Sequence, residues 1–288
     1  MTRRLLRRAA VVLLLAAIPG AWARPRLDSH DPYPQAAVAY ATVIDGEMVW
    51  GRNVDVPHAP ASLTKLLTAL VILHGDWDPD AWLTTSHDAA HTTHPRAGLH
   101  TGDRVRAYDA LQAMLMHSAN DACLVLAESA AGSIEAFSRR MNAMAAQLGM
   151  SHSHFVHPCG FDEGGQYSTV TDLLRLAKSA HADPRIARIV RQKEAEIAVE
   201  SGRRLSFHNT NQLLGHMEGV MGLKTGYTAQ AGRCLIAVVE QSGHRVWLVL
   251  LDSQRRWTSA NRILTDAFTV AGRESHLRTT AYVGHISH

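Results

Sequence analysis

The chain has 288 residues, 46% apolar and 19% charged, which excludes an intrinsically disordered protein and allows one large domain or two small ones. Its formal charge of +3 resides in the first segment: positions 1–23 hold Arg3, Arg4, Arg7 and Arg8 and no acid, leaving 25 basic against 26 acidic side chains elsewhere. That balance excludes nucleic acid as an implied partner.

In chain order, residues 1–23 combine a basic start, an apolar run from Ala9 to Ile18, a Pro19-Gly20 break and Ala21-Trp22-Ala23, the pattern of a secretory signal peptide. The apolar run is short for a bilayer span, so export is expected, with membrane association only if the segment stays uncleaved. Residues 24–34 are proline-rich and expected to be extended. "AAVAYATVIDGEMVWGRN" predicts a hairpin turning at Asp45-Gly46. "APASLTKLLTALVIL" predicts a helix from about Ser62 to His74, with Ser62 as N-cap or nucleophile. Residues 75–107 are loop-rich, and two helical pieces follow, meeting near His117–Asn120. "SIEAFSRRMNAMAAQLGM" predicts an amphipathic helix capped by Ser133 and stopped at Gly149, and "STVTDLLRLAKSAH" another with Thr169 and Asp172 in capping-box positions. "GVMGLKTGYT", "GRCLIAVVEQ" and "HRVWLVLLDS" predict three strands, and "WTSANRILTDAF" a closing helix before a short polar tail, residues 271–288. Two early and three late strands predict an α/β (α+β) chain with one antiparallel five-stranded sheet and a helical block inserted between its halves.

Three cysteines in an exported chain leave at least one free thiol, and Cys123, inside an apolar helical run, is expected to be a buried one; Cys159 and Cys234 carry no assignment. His87 and His91 have i, i+4 spacing, and His94, His100, His152, His154 and His157 lie nearby, but no third ligand completes a metal set among the 18 histidines. No metal and no cofactor is expected.

Ser62 and Lys65 lie three apart, sharing a helix face. Ser118-Ala119-Asn120 falls at the break between helices and Lys224-Thr225-Gly226 on a strand. S-x-x-K, S-x-N and K-T-G in that order form the signature of penicillin-binding proteins and serine β-lactamases. A serine hydroxyl needs a base, and Lys65, one turn on, can reach it. A lysine acts so only if burial or a second cation such as Lys224 lowers its pKa. The helix N-terminus favours negative charge developing at Ser62.

These motifs, with "LGMSHSHFVHPCGFDEGGQYST" and "NTNQLL…GVMGLKTGYTAQAGRCLIAVVE", resemble the serine-type D-alanyl-D-alanine carboxypeptidases, the low-molecular-mass penicillin-binding proteins, over roughly residues 35–268. The resemblance implies a β-lactamase/transpeptidase-like catalytic domain over 35–270, with a helical subdomain at about 75–180. It implies a serine DD-peptidase of the periplasm or cell-envelope space. Such an enzyme removes the terminal D-alanine of a peptidoglycan pentapeptide and takes β-lactams as covalent inhibitors. Ser62 would be the nucleophile, Lys65 the base and Ser118 a proton relay. Asn120, Lys224, Thr225 and Gly226 would bind substrate along an exposed strand edge, Gly226 allowing its close approach. The backbone N–H groups of Ser62 and Tyr227 would form the oxyanion hole. Arg256, or adjacent Arg255, would hold the peptide carboxylate.

Three other activities fit the same motifs. A β-lactamase needs an acid for rapid deacylation; the one acid pair in the expected region, Asp162-Glu163, resembles the carboxypeptidase segment, so slow deacylation of penicillin is expected. A DD-endopeptidase acting on crosslinked peptides fits the end of the chain soon after Phe268, where longer relatives carry a second domain. A non-catalytic wall-binding sensor would be expected to have lost a motif residue, and none is lost.

Overall fold

The structure, a computed structural model, describes residues 31–284, with side chains to Arg273; the expected signal peptide lies outside the described residues. Strands β1 (Ala39–Ile44) and β2 (Glu47–Arg52) form the predicted hairpin, with φ of 48° at Asp45 and 98° at Gly46 as a type I′ turn requires. Ahead of it, residues 31–36 turn instead of running extended. The Asp31 carboxylate accepts from the Tyr33 N–H, the Tyr40 hydroxyl and Arg52, and one charged acceptor serving three donors outweighs the extended preference around Pro32 and Pro34.

A 3-10 turn, Ala61–Thr64, leads into α1 (Lys65–Leu73). Every residue of α1 is buried, so it is a core helix rather than a surface one. The following stretch holds β3 (Trp82–Thr84), the single turn α2 (His87–Ala90) and β4 (Arg104–Arg106). Then come α3 (Ala107–Met116) and α4 (Asn120–Ala131), which meet where expected, and α5 (Ile134–Gln147), where the Ser133 hydroxyl accepts the Ala136 N–H. Helix α6 (Val170–Ala182) is capped by Thr169, which accepts the Asp172 N–H. Only half the expected capping box forms: the Asp172 carboxylate turns away to the His152 N–H, the Ser153 hydroxyl and Arg175. Helix α7 (Pro184–Val190) and the hairpin of β5 (Glu194–Ala198) with β6 (Arg204–His208) were not predicted. Their local signals are Asp183 capping a proline-led turn and Ser201-Gly202 between alternating runs.

The last third supplies β7 (Val220–Thr228), β8 (Gly232–Gln241) and β9 (His244–Leu251), as predicted. The five-stranded sheet has the order β2-β1-β9-β8-β7, every neighbouring pair antiparallel, so the early hairpin joins the late strands at the β1–β9 ladder. Both faces are covered. Leu235, Ala237 and Val239 pack with Ala260, Ile263 and Leu264, whereas Cys234, Ile236 and Val238 join the core formed with α1 and α3–α7. Helix α8 (Arg256–Gly284) carries that first layer and outruns the expected stop at Phe268. Its apolar stripe continues through Ala267 to Ala271, so the residues expected to form a tail are helical as far as Gly284.

Cys123 is not a free thiol: it forms a disulfide with Cys159, 36 residues on. An apolar helical setting buries a thiol and a half-cystine equally, which is why the pattern alone misassigned it. In the chain-entropy description a loop of that size stabilises by about 4 kcal/mol. The free thiol is Cys234, buried in β8.

Candidate active site

The 3-10 turn settles how Ser62 and Lys65 meet. Residues i and i+3 eclipse in such a turn, and Lys65 Nζ lies 3.0 Å from Ser62 Oγ. Ser62 caps no helix; its hydroxyl instead faces the amine. The turn is entered through Ala61 at φ 49°, a left-handed backbone that an alanine adopts only at a cost of about 1 kcal/mol. Contacts on two sides hold it there. A methyl built on Gly160 would lie 2.0 Å from the Ala61 carbonyl oxygen, and one on Gly226 would lie 3.1 Å from the Ser62 nitrogen. The absence of a side chain at Gly226 thus lets the turn that carries Ser62 pack closely against β7.

Gly160 also has φ 81°, so Gly160→Ala combines backbone strain with a clash against main chain that cannot move. We expect it to lower stability by about 3 kcal/mol, or roughly 6–12 °C in Tm. Gly164→Ala, where nothing lies within 4 Å, is expected to be nearly neutral. Thermal unfolding of the two variants tests this, and equal melting temperatures contradict it.

The Lys65 amine is buried and makes two further contacts, to Asn120 Oδ1 at 2.8 Å and the Cys159 carbonyl at 2.7 Å. Burial, then the Lys224 charge, push its pKa well below the ordinary lysine value, with Asp121 acting in the opposite sense. Lys224 is buried too, donating to the Thr225 carbonyl at 3.1 Å; burial and then Arg256 bring it down to about 7. A buried amine held below its usual range within hydrogen-bond reach of a serine hydroxyl can take a proton, which a solvated lysine cannot do near neutral pH.

Asn120, at the start of α4, is 3% exposed, and its Nδ2 donates to the Thr93 carbonyl, which leaves one amide proton for a ligand. Ser118 lies two residues earlier at φ 64° and 6% exposure, and its hydroxyl has no partner among the described residues. Neighbouring Asp121 was not singled out by the sequence. Its carboxylate accepts the N–H groups of Ala97, Gly98, Leu99 and Ala122, pinning the 93–99 loop to the start of α4.

Strand β7 is a sheet edge, but Lys224 and Thr225 are 1% and 5% exposed: the 3-10 turn covers this end and draws their side chains inward. The Thr225 hydroxyl meets that of Thr210 at 2.6 Å, a partner the sequence reading did not name. Tyr227 is exposed. Arg256 reaches under the strand, its Nη1 donating to the carbonyls of Gly226 and Cys234 at 2.9 Å, while Arg255 is exposed. Asp162 accepts the Gln230 N–H and Glu163 lies 3.9 Å from His157; neither hydrogen-bonds Ser62 or Lys65. His87 and His91 stack at 4.2 Å, and no group of three or more His, Cys, Asp or Glu side chains poised for a metal occurs among the described residues.

The family model described as D-alanyl-D-alanine carboxypeptidase, peptidase S11, matches residues 31–255. The Bacillus subtilis D-alanyl-D-alanine carboxypeptidase DacF is 29% identical, covering 90% of this chain and 69% of its own. A Pseudomonas aeruginosa D-alanyl-D-alanine endopeptidase is 32% identical over 90% of this chain and 85% of its own. The Streptomyces K15 DD-transpeptidase superposes with a TM-score of 0.76 at 27% identity, covering 81% of this chain and 97% of that one.

Proposed function

The chain belongs to the D-alanyl-D-alanine carboxypeptidase family of serine peptidases, and from that premise we propose that it removes the terminal D-alanine of peptidoglycan stem peptides through an acyl-enzyme on Ser62. The observation that carries the assignment is the buried Lys65 amine at 3.0 Å from the Ser62 hydroxyl. In the proposed step Lys65, uncharged, takes the hydroxyl proton as Ser62 Oγ attacks the carbonyl of the penultimate D-alanine. The N–H groups of Ser62 and Tyr227 receive the developing oxyanion, typically worth ~3–4 kcal/mol per donor. Ser118 passes a proton to the leaving amine, and the bond to the terminal D-alanine breaks. Water then releases the acyl group and restores the serine. The free Asn120 amide proton and the Lys224–Tyr227 strand hold the peptide, and Arg256 or Arg255 its carboxylate. A β-lactam follows the same first step, but its ring nitrogen stays tethered, so the acyl-enzyme persists.

The substrate lies in the cell envelope, so the proposal includes export, with residues 1–23 as the signal. Among the described residues no helix is long and apolar enough to cross a membrane. A second reading, endopeptidase cleavage of crosslinks, is favoured by the P. aeruginosa relative of that name, which matches over most of both chains.

Incubating the protein with fluorescent penicillin is expected to label it covalently, and Ser62→Ala to abolish the label; a labelled Ser62→Ala protein would refute the nucleophile. Mass spectrometry of digested peptidoglycan then separates loss of one D-alanine from conversion of dimers to monomers. A chromogenic cephalosporin is expected to turn over slowly, because neither Asp162 nor Glu163 hydrogen-bonds the Ser62–Lys65 pair.

A further inference from the structure

Lys65 is held from two segments: by the Asn120 carboxamide at the start of α4 and by the Cys159 carbonyl in the stretch between α5 and α6. The Cys123–Cys159 disulfide joins those same two segments, three residues into α4. Cys159 is fixed again by its own N–H, which donates to Nδ1 of His157 at 3.1 Å, and the His157 ring stacks on Phe161 at 4.2 Å. We propose that the Cys123–Cys159 disulfide and the His157 ring are positioning groups for Lys65, holding the Cys159 carbonyl against its amine so that the amine stays dry and aimed at Ser62.

The inference rests on Lys65 being the base that activates Ser62. What distinguishes a positioning bond from a stabilising staple is where it attaches. The bonded residue is itself the one whose carbonyl touches the lysine. Its neighbours touch the same segment: the Pro158 carbonyl accepts the Thr68 hydroxyl at 2.6 Å, and Gly160 abuts Ala61. Three successive residues therefore set the position of the turn and helix that carry Ser62 and Lys65. The His157 ring suits its role because burial, then the Lys65 charge, hold its pKa at about 4; above that pH the ring is neutral and Nδ1 can accept.

The charged or titratable groups facing the Lys65 amine are Lys224 from β7, Asp121 from α4 and His157 from the loop. A Cys123→Ala/Cys159→Ala double variant changes none of them, so a shift in the lysine's titration there reports its solvation. The test is the rate of acylation by fluorescent penicillin from pH 5 to 10 in the native protein, the double variant, His157→Ala and His157→Asn. In the double variant and His157→Ala the loosened loop admits water. We expect the acid limb to move up by about one pH unit or more and the rate at pH 7 to fall roughly tenfold, much of it returning at high pH. Asparagine can place a side-chain acceptor where Nδ1 stood, so His157→Asn is expected to restore the limb.

An acid limb that stays in place or moves down, with only the unfolding temperature lowered, overturns the proposal and leaves the disulfide a staple. A His157→Asn protein behaving like His157→Ala overturns the part assigned to the ring. If the double variant does not fold, the two His157 variants decide the question. Native protein that is not acylated at any pH refutes the base reading and this inference together, which separates that failure from a failure of the positioning role alone.

Discussion

Lys65→Met is expected to slow acylation of Ser62 by roughly 10³-fold or more while leaving the melting temperature no lower than that of the native protein. The two halves of this result share one cause. In the unfolded chain Lys65 is a hydrated ammonium, whereas in the fold it is buried and held well below its usual pKa, so folding at neutral pH works against its charge. Methionine keeps the unbranched apolar stem and removes that opposition. Against it stand two carbonyl oxygens, on Asn120 and Cys159, that lose a donor at about 1–3 kcal/mol each. The terms are of similar size, so stability holds while the base is lost. Lys65→Arg is expected not to rescue the rate, because a guanidinium does not give up its proton in proteins. Penicillin labelling and thermal unfolding on the same samples check both halves. A melting temperature that collapses along with the activity would mean a structural ammonium and no base.

Stability is expected to rise by about 2 kcal/mol between pH 7 and 9 on account of Lys224, and Lys224→Met to remove that rise. The folded pKa is about 7 and the ordinary value 10.5. Across that window the native state has shed a proton that the unfolded chain still binds. Unfolding free energy therefore increases with pH, by up to about 1.4 kcal/mol per unit. Lys65 acts with the same sign. Opposing groups enter later: Cys234 is raised to about 11 from 9, and Tyr33 and Tyr40 are raised from 10, so they lower stability only at and above pH 9. His157, brought down from 6.5 to about 4, has completed its contribution by pH 7. Urea unfolding at pH 7, 8 and 9 measures the slope. Parallel profiles for the native and Lys224→Met proteins would show that Lys224 keeps an ordinary pKa and is not desolvated in the fold.

Features that depend on a few adjacent residues were legible in the sequence. The Asp45-Gly46 hairpin, the Ser133 and Thr169 caps and the meander of β7, β8 and β9 follow from turn chemistry, capping and period-2 runs. The residues proposed for the site were picked out as well, because three short motifs occur in order. Their geometry was not. That Ser62 sits in a 3-10 turn, and so faces Lys65 instead of capping a helix, depends on Gly160 and Gly226 pressing that turn into a left-handed entry at Ala61. The reach of α8 beyond Phe268 depends on the sheet face that receives Ala267 and Ala271.

By itself the sequence determined the antiparallel five-stranded sheet with its helical insertion, and it singled out the serine, the two lysines and the asparagine of the proposed chemistry, since periodicity and motif order are local properties. Only the tertiary structure decided what makes Lys65 able to act. Its acceptors, Asn120 and the Cys159 carbonyl, stand 55 and 94 residues away. Asp121, the Cys123–Cys159 bond and the Lys224 charge likewise reach the site from distant segments. A pKa is set by burial and by charges close in space, and neither can be computed from spacing along a chain.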